Sequence, residues 1–230
     1  FCIYDAKKQT LFLARDRVGK KPLYYYAEGK NFIFASEIKA MLETNKIKRV
    51  FNAEALRYYL AFRANTSNES FIKGIKKVPP GNFLIYDLKD NSIKIKKYWG
   101  IKFRQKKIGK KECADEVQFL LREAVKDRLV SDVPYGAYLS GGVDSGAIVA
   151  LMNKYSTQKP IKTFSVGFEE KNHSELDNAR FLAKKLNTDH HELVLSKDAI
   201  KELPRIVYQC DETIADPTII PTYFLAKYNK

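Results

Sequence analysis

Cysteine and histidine are scarce in this sequence, acidic residues are outnumbered by basic ones, and long apolar runs are absent. Cys2, Cys113 and Cys210 lie far apart in apolar patterns. An odd number at such spacings argues against a disulfide framework or a metal knuckle and fits reduced thiols in a cytosolic protein. Three histidines, with no Cys or Asp at ligand spacing, argue against an imidazole-built metal site. No apolar run approaches the roughly 18 residues of a membrane span, so no membrane partner is expected. Asp and Glu number 27 against 41 Lys and Arg, a formal charge of +14. Such a surplus suits a nucleic-acid partner. The lysines are dispersed, however: Lys94, Lys96 and Lys97 alternate on a strand, and Lys106, Lys107, Lys110 and Lys111 sit in a basic linker. No nucleic-acid motif accompanies them, so a lysine-rich surface and no nucleic-acid partner are expected. No signal peptide and no initiator Met open the chain. Phe1-Cys2-Ile3-Tyr4-Asp5 reads as the middle of a strand, and we expect a fragment cut at least at its N-terminus.

What is present is ordinary globular composition, 45% hydrophobic and 30% charged, in a length that holds one large domain or two small ones. The most specific stretch is Tyr138-Leu139-Ser140-Gly141-Gly142-Val143-Asp144-Ser145-Gly146. An apolar run, Val133 to Leu139, leads into it, and a helical pattern, Ala147 to Met152, follows. A strand that empties into a Gly/Ser loop and then a helix builds an anion site, because loop amides and the free N–H groups of the first helical turn converge. Gly141 and Gly142 let the backbone approach a ligand closely. Ser140 and Ser145 add hydroxyls, and Asp144 adds a carboxylate. No Lys lies between Arg128 and Lys154, which excludes a Walker A loop, and no G-x-G-x-x-G occurs. A ligand-free Gly-rich turn is the plain alternative.

Along the chain, Phe1 to Asp5 and Thr10 to Ala14 predict a hairpin, as do Pro22 to Ala27 and Asn31 to Ala35 around Glu28-Gly29-Lys30. Ser36 is placed to cap a short helix with Ile38, Met41 and Leu42 on one face. Asn52 is placed to cap another, with Leu56, Tyr59 and Leu60 inward. Residues 63–76 read as loop, Val78-Pro79-Pro80-Gly81 as a turn, and Asn82 to Asp87 and Ser92 to Trp99 as strands. Residues 100–110 lack apolar spacing and read as a linker. Val117, Leu120, Leu121, Ala124 and Val125 then recur at helical spacing, predicting an amphipathic helix over 111–129. Strand 133–139, helix 145–155, strand 161–167, helix 174–186 capped by Ser174, strand 190–195 and helix 198–210 follow. That alternation implies a parallel sheet with right-handed crossovers, whose ligands sit beyond the carboxyl ends of the strands.

The S-G-G-x-D-S pattern at Ser140–Ser145 resembles the pyrophosphate loop of the ATP pyrophosphatase (PP-loop) family. The blocks Leu11-Phe12-Leu13-Ala14-Arg15-Asp16, Pro22-Leu23-Tyr24-Tyr25-Tyr26, Phe34-Ala35-Ser36-Glu37-Ile38-Lys39-Ala40 and Pro79-Pro80-Gly81 resemble the later half of a class II glutaminase domain. Glutamine-hydrolysing asparagine synthetases carry these two parts in this order. The resemblance implies residues 1–99 as the C-terminal half of an Ntn-type glutaminase (α+β, mostly antiparallel β) and residues 111–230 as the N-terminal part of an α/β parallel-sheet PP-loop domain, of the adenine nucleotide α-hydrolase type. It implies ATP and Mg²⁺ as cofactors and aspartate, glutamine and ATP as substrates. The activity implied is asparagine synthesis through a β-aspartyl-adenylate, releasing AMP and pyrophosphate in the cytoplasm. A homodimer is left open. A β-lactam synthetase-like enzyme, peptide cyclase or sugar amidotransferase, or a non-catalytic nucleotide-binding protein, is the alternative.

By that resemblance Ser140, Gly141, Gly142 and Ser145 grip pyrophosphate, and Asp144 is assigned to Mg²⁺–pyrophosphate, with a helix N-cap as its alternative role. Leu139 and Val166 match positions that hold adenine and ribose through backbone groups; read alone, both are core residues at strand ends. Asp211-Glu212-Thr213-Ile214-Ala215-Asp216-Pro217-Thr218 resembles a D-E-P-x-A-D-x-S stretch near the substrate pocket, with Thr213 in place of Pro. Its carboxylates could hold Mg²⁺, or the stretch could be a solvated loop with an N-cap at Asp216. His190-His191 opens a strand and is read as structural, and His173 has no assigned partner. Cys2, set in a strand, is not the N-terminal nucleophile of such glutaminases; Arg15-Asp16 is read as a structural turn. The family's S-G-[DE]-G-[AG]-D-E run is not in the chain, and the fragment alone is expected to be inactive.

Overall fold

The computed structural model describes residues 1–169, 175–212 and 215–229. The chain divides into two units, one formed by Phe1–Arg104 with Val207–Asp216 and the other by Gln105–Ile206 with Pro217–Lys230. No helix among the described residues is long and apolar enough to cross a membrane.

The first unit holds two antiparallel sheets. Strands β1 (Cys2–Asp5), β2 (Thr10–Ala14), β6 (Asn82–Asp87) and β7 (Ile93–Lys97) form one in the order β1-β2-β6-β7, and β4 (Asn31–Ala35), β3 (Tyr24–Glu28) and β5 (Ile75–Lys77) form the other in the order β4-β3-β5. Strand β3 shows why the unit has two cores. Its successive tyrosines point to opposite faces. Tyr25 packs with Leu13, Val78, Leu84 and Tyr86, whereas Tyr24 and Tyr26 pack with Ile38 and Met41 of helix α1 (Ile38–Leu42) and with Ile47 and Ile75. Phe32 stacks on Tyr86, ring centroids 4.0 Å apart and planes within 7°.

The Arg15–Asp16 turn is structural, as expected. The Asp16 carboxylate accepts the Lys20 and Lys21 amides at 2.8 and 3.0 Å, and these bonds hold its carboxyl below the usual range. The Arg15 guanidinium donates to the carbonyls of Lys21, Val78 and Gly19. Several expectations are corrected in this unit. Ile75 and Lys76, read as the end of a loop, belong to the edge strand β5, paired with β3 at Tyr26 and Ile75. Helix α2 (Ala53–Phe62) is capped by Asn52, whose side chain accepts the Glu54 amide, yet Leu60 is 71% exposed and Ala55 takes the buried position instead.

The cap expected from Ser36 comes instead from far along the chain. Helix α1 has no side-chain cap from its own segment. The Asp211 carboxylate accepts the Ile38 amide at 2.7 Å and the Lys39 amide at 3.3 Å, and the Lys39 ammonium lies 3.2 Å from it. The neighbouring Glu212 carboxylate pairs with Lys77 at 2.8 Å and accepts from the Asn65 side chain. Arg63 donates to the Ala215 carbonyl at 2.7 and 3.1 Å, and the Ala215 amide returns a bond to Arg63. Burial, and then the Glu212 and Asp211 carboxylates, push the Tyr24 phenol far above its ordinary range. The described part of this stretch is thus a clasp rather than a solvated loop or an open metal site; Thr213 lies outside the described residues.

The second unit is a three-stranded parallel sheet in the order β10-β9-β8, built from β8 (Gly136–Tyr138), β9 (Lys162–Phe168) and β10 (Asp189–Leu195). Helix α4 (Val143–Tyr155) connects β8 to β9, and helix α5 (Leu176–Leu186) precedes β10. Leu139, Val149, Ala179 and Ala183 form one buried cluster, and Val125, Met152 and Ile161 another. Helix α3 (Lys110–Arg128) contributes Val125, but the expected inward residues Val117 and Leu120 are 58% and 57% exposed. Strand β8 is shorter than the predicted 133–139. The two amides that would have faced β9 are taken elsewhere: Tyr135 donates to the Gln158 side chain at 3.2 Å, and the Ser131 hydroxyl takes the Val133 amide into a turn. Helix 198–210 is a 3₁₀ turn, Lys197–Glu202, followed by α6 (Leu203–Cys210). The last helix, α7 (Ile219–Tyr228), has Thr218 rather than Asp216 at its N-cap position. Ser174 and His173 lie outside the described residues. Cys2, Cys113 and Cys210 are free thiols.

Asp211→Ala should lower the stability of the first unit by about 1–3 kcal/mol, since two helix amides lose their partner and the Lys39 ammonium keeps only Glu37. Asp211→Asn, which keeps an acceptor, should cost less. Denaturant unfolding followed by the single tryptophan, Trp99, which lies in this unit, checks both.

Candidate functional site

Strand β8 ends after three residues, and the chain turns at once into the Ser-Gly-Gly loop and helix α4. The loop is folded against helix α5. Gly141 has φ +83°, and a Cβ there would lie 2.6 Å from Asn178 Cβ and 2.8 Å from the Ala179 amide nitrogen. The position needs glycine both for its left-handed backbone and for the contact. Gly142 occupies the N-cap position of α4 with φ −78°. Helix α4 therefore starts at Val143, two residues before the predicted start, and its first amides open beside the loop.

The two serines satisfy each other. Ser145 Oγ donates to the Gly142 carbonyl at 3.2 Å and accepts the Ser140 amide at 3.3 Å. Ser140 Oγ lies 3.0 Å from Ser145 Oγ and accepts the Gly142 amide at 3.4 Å. Both hydroxyl protons are thus held inside the loop, and an incoming anion can recruit them by rotation about the Cβ–Oγ bonds. Asp144 is exposed in the first turn of α4, not at the N-cap. A carboxylate there favours the helix dipole.

Beyond the end of β8 and alongside β9 lies a cavity of about 150 Å³, lined by Leu139, Ser140, Val166, Glu175, Leu176 and Leu225 among others. The structure thus brings all the predicted site residues to one end of the sheet: Ser140, Gly141, Gly142, Asp144 and Ser145 at the loop, and Leu139 and Val166 in the adjoining cavity wall. Leu139 is fully buried, as read from the sequence, while Val166 is half-buried. Ser165 and Glu175 were not singled out from the sequence. A serine inside the apolar strand Thr163-Phe164-Ser165-Val166-Gly167 was the available signal for the first.

The His pair belongs to the sheet and not to this cavity. His190 Nδ1 is 2.9 Å from Thr163 Oγ1, which also meets Thr188 Oγ1 at 2.8 Å. His190 Nε2 approaches Glu192 at 3.4 Å and His191 Nε2 approaches Asp189 at 3.1 Å, neither with hydrogen-bond geometry. Arg180 binds Glu192 with two bonds of 2.7 and 2.8 Å, tying α5 to β10. Burial lowers the His190 pKa below its ordinary value, outweighing the attraction of Glu192.

A parallel sheet whose first strand ends in a Ser-Gly-Gly loop at a helix N-terminus defines an α/β unit of the PP-loop kind. Residues 116–230, half of the chain, match the family described as Asparagine synthase, and residues 1–99 match a Glutamine amidotransferase domain. The chain belongs to the asparagine synthase family. It is 36% identical over its full length to asparagine synthetase (glutamine-hydrolyzing) 1 of Bacillus subtilis, covering 36% of that protein. It is 33% identical over 90% of its length to asparagine synthetase (glutamine-hydrolyzing) 3 of the same organism, again covering 36%. A provisionally named asparagine synthetase (glutamine-hydrolyzing) 2 of Methanocaldococcus jannaschii is 37% identical over 97% of the chain, which covers 44% of that relative. The chain thus spans less than half the length of these relatives.

Two outcomes follow from this geometry. Gly141→Ala should destabilise the second unit by about 1–2 kcal/mol from backbone handedness alone, with the Asn178 contact adding to it. Gly142→Ala, whose Cβ would find only Ser140 Oγ at 3.4 Å, should be nearly neutral; paired denaturation curves compare them. Separately, the fold favours neutral His190, so the unfolded chain binds that proton first as pH falls. The stability this group supports is present above about pH 6.5 and is lost as the pH drops towards its folded value. His190→Asn, which keeps an acceptor for Thr163, should flatten that part of a stability-versus-pH curve.

Proposed function

We propose that this chain carries the pyrophosphate-gripping part of an ATP-dependent amide synthetase, and that the whole protein makes asparagine from aspartate in the cytosol, with glutamine supplying ammonia. The observation that carries the reading is the Ser140–Ser145 loop, closed on itself against α5 at the head of α4, in a chain of the asparagine synthase family.

Amide formation from a carboxylate needs one oxygen made into a leaving group. An aspartate side-chain oxygen attacks the α-phosphorus of ATP, the bond from that phosphorus to the bridging oxygen breaks, and pyrophosphate leaves. Ammonia then attacks the acyl carbon of the β-aspartyl-adenylate, AMP departs, and a proton is lost from nitrogen. The departing pyrophosphate concentrates charge, so its stabilisation is the main demand on the protein. Amides of Gly141 and Gly142 and the first-turn amides of α4 supply donors held in place, and the hydroxyls of Ser140 and Ser145 are recruited by rotation. Leu139 and Val166 flank the cavity that would take adenine and ribose.

The residues present fit Mg²⁺ in one specific way. Among the described residues there is no group of three or more metal-ligating side chains. Mg²⁺ characteristically uses one or two carboxylates, water and substrate phosphates, and Asp144, exposed beside the loop, is such a carboxylate. Bound there, the ion would neutralise charge on the leaving group.

The test is a steady-state assay of the full-length protein with ATP, Mg²⁺, glutamine and a panel of carboxylic acids. Aspartate should give equimolar AMP, pyrophosphate and asparagine, and Asp144→Asn should lower kcat/KM by about 10²–10³-fold. No AMP with any acid would sink the reading; turnover of a sugar acid or peptide acid in place of aspartate would replace the acceptor.

A further inference from the structure

Ser165 is a buried polar residue in the interior of β9, only 4% exposed. Its hydroxyl donates to the Leu139 carbonyl, and that carbonyl is where the sheet stops. The Leu139 amide still donates to the Phe164 carbonyl at 2.9 Å, but the paired register ends one residue earlier, at Tyr138 opposite Phe164. In a parallel ladder, alternate residues of a strand turn their N–H and C=O towards the same neighbour. Phe164 faces β8, so Val166 faces the β8 side as well, and Ser165 faces β10. One further ladder bond would run from the Val166 amide to the Leu139 carbonyl. The register stops short of it, and the Ser165 hydroxyl takes that carbonyl instead. Val166 is left with an N–H and a C=O side by side on the sheet edge, in the wall of the cavity that Leu139 and Ser140 also line.

We propose that Ser165 is a positioning residue that keeps the β8–β9 ladder open at Leu139, so that the Val166 backbone pair stays free for the base and ribose end of a nucleotide. This rests on the nucleotide reading above. The argument is one of obligation. The Leu139 carbonyl is buried, and a buried carbonyl must find a donor. With the hydroxyl present, that donor is Ser165. Without it, the next donor along the ladder is the Val166 amide, and closing that bond removes it from the cavity wall. Threonine can replace serine here, because it keeps the hydroxyl; alanine cannot.

The experiment uses the full-length protein, as wild type, Ser165→Ala and Ser165→Thr. Amide hydrogen exchange is read at Val166 without ligand, and calorimetry measures binding of Mg-ATP and of magnesium pyrophosphate. In Ser165→Ala the Val166 amide should exchange about tenfold more slowly and Mg-ATP should bind about tenfold more weakly, a change of about 1.4 kcal/mol. Pyrophosphate, which needs only the loop, should bind within about twofold of wild type, and Ser165→Thr should behave as wild type in all three measurements. A merely structural role would speed exchange and weaken both ligands together, and that result overturns the proposal, as does unchanged ATP affinity. Should Ser165→Ala fail to fold, the wild type decides: its Val166 amide must exchange faster than that of Phe164 before nucleotide is added, and the reverse order overturns the proposal. Wild-type protein that binds neither ligand overturns the nucleotide reading itself, and this proposal with it.

Discussion

The second unit is organised around one shortage: strand β8 runs out after three residues, and its neighbour β9 does not. Backbone groups that a longer strand would have paired need other partners. The loop supplies them to itself through Ser140 and Ser145, α4 begins where it can leave its first amides open, and Ser165 reaches across to the last buried carbonyl. Each device is modest alone. Together they place unpaired or easily recruited donors at one end of the sheet, which is what an anion site consists of.

Acidic side chains are outnumbered by basic ones in this chain, and several with a defined partner are engaged in architecture. Asp16 organises a turn, Asp211 caps α1, and Glu212 is paired with Lys77. Asp211 and Glu212 would have been reasonable metal ligands on composition alone. Their oxygens are already committed to amides and ammonium groups in the first unit. Asp144, beside the loop, and Glu175, in the wall of the adjoining cavity, remain as exposed carboxylates at this end of the sheet.

Local signals in the chain translated well. The strands at Thr10–Ala14, Asn31–Ala35 and Asn82–Asp87 were read to the residue, because alternating apolar positions and short turns specify a hairpin without help from elsewhere. The Ser-Gly-Gly loop was legible for the same reason, since its chemistry and its backbone demands lie within a few residues. What could not be read was non-local. Nothing near Ser36 says that the α1 amides will be taken by Asp211, 173 residues from Ile38. Nothing in the spacing of Val117 and Leu120 says that this end of the apolar stripe of α3 stays exposed while Val125 is buried. Strand β8 is shorter than its apolar content predicts because the Tyr135 amide is taken by the side chain of Gln158, 23 residues further on.

Asp144 stands at a helix start and, under the function proposed above, beside a bound phosphate. In the first turn of α4 its negative charge sits well with the helix dipole and stabilises the helix start. The same charge would repel a phosphate brought to the amides beside it. Moving the carboxylate away would weaken the helix end, and removing it would leave the incoming charge to the dipole alone. Under the nucleotide reading proposed above, a divalent cation held by Asp144 would offset that repulsion. Without a ligand, the helix dipole alone accounts for an acid in this turn, so the placement fits a magnesium–nucleotide complex without requiring one.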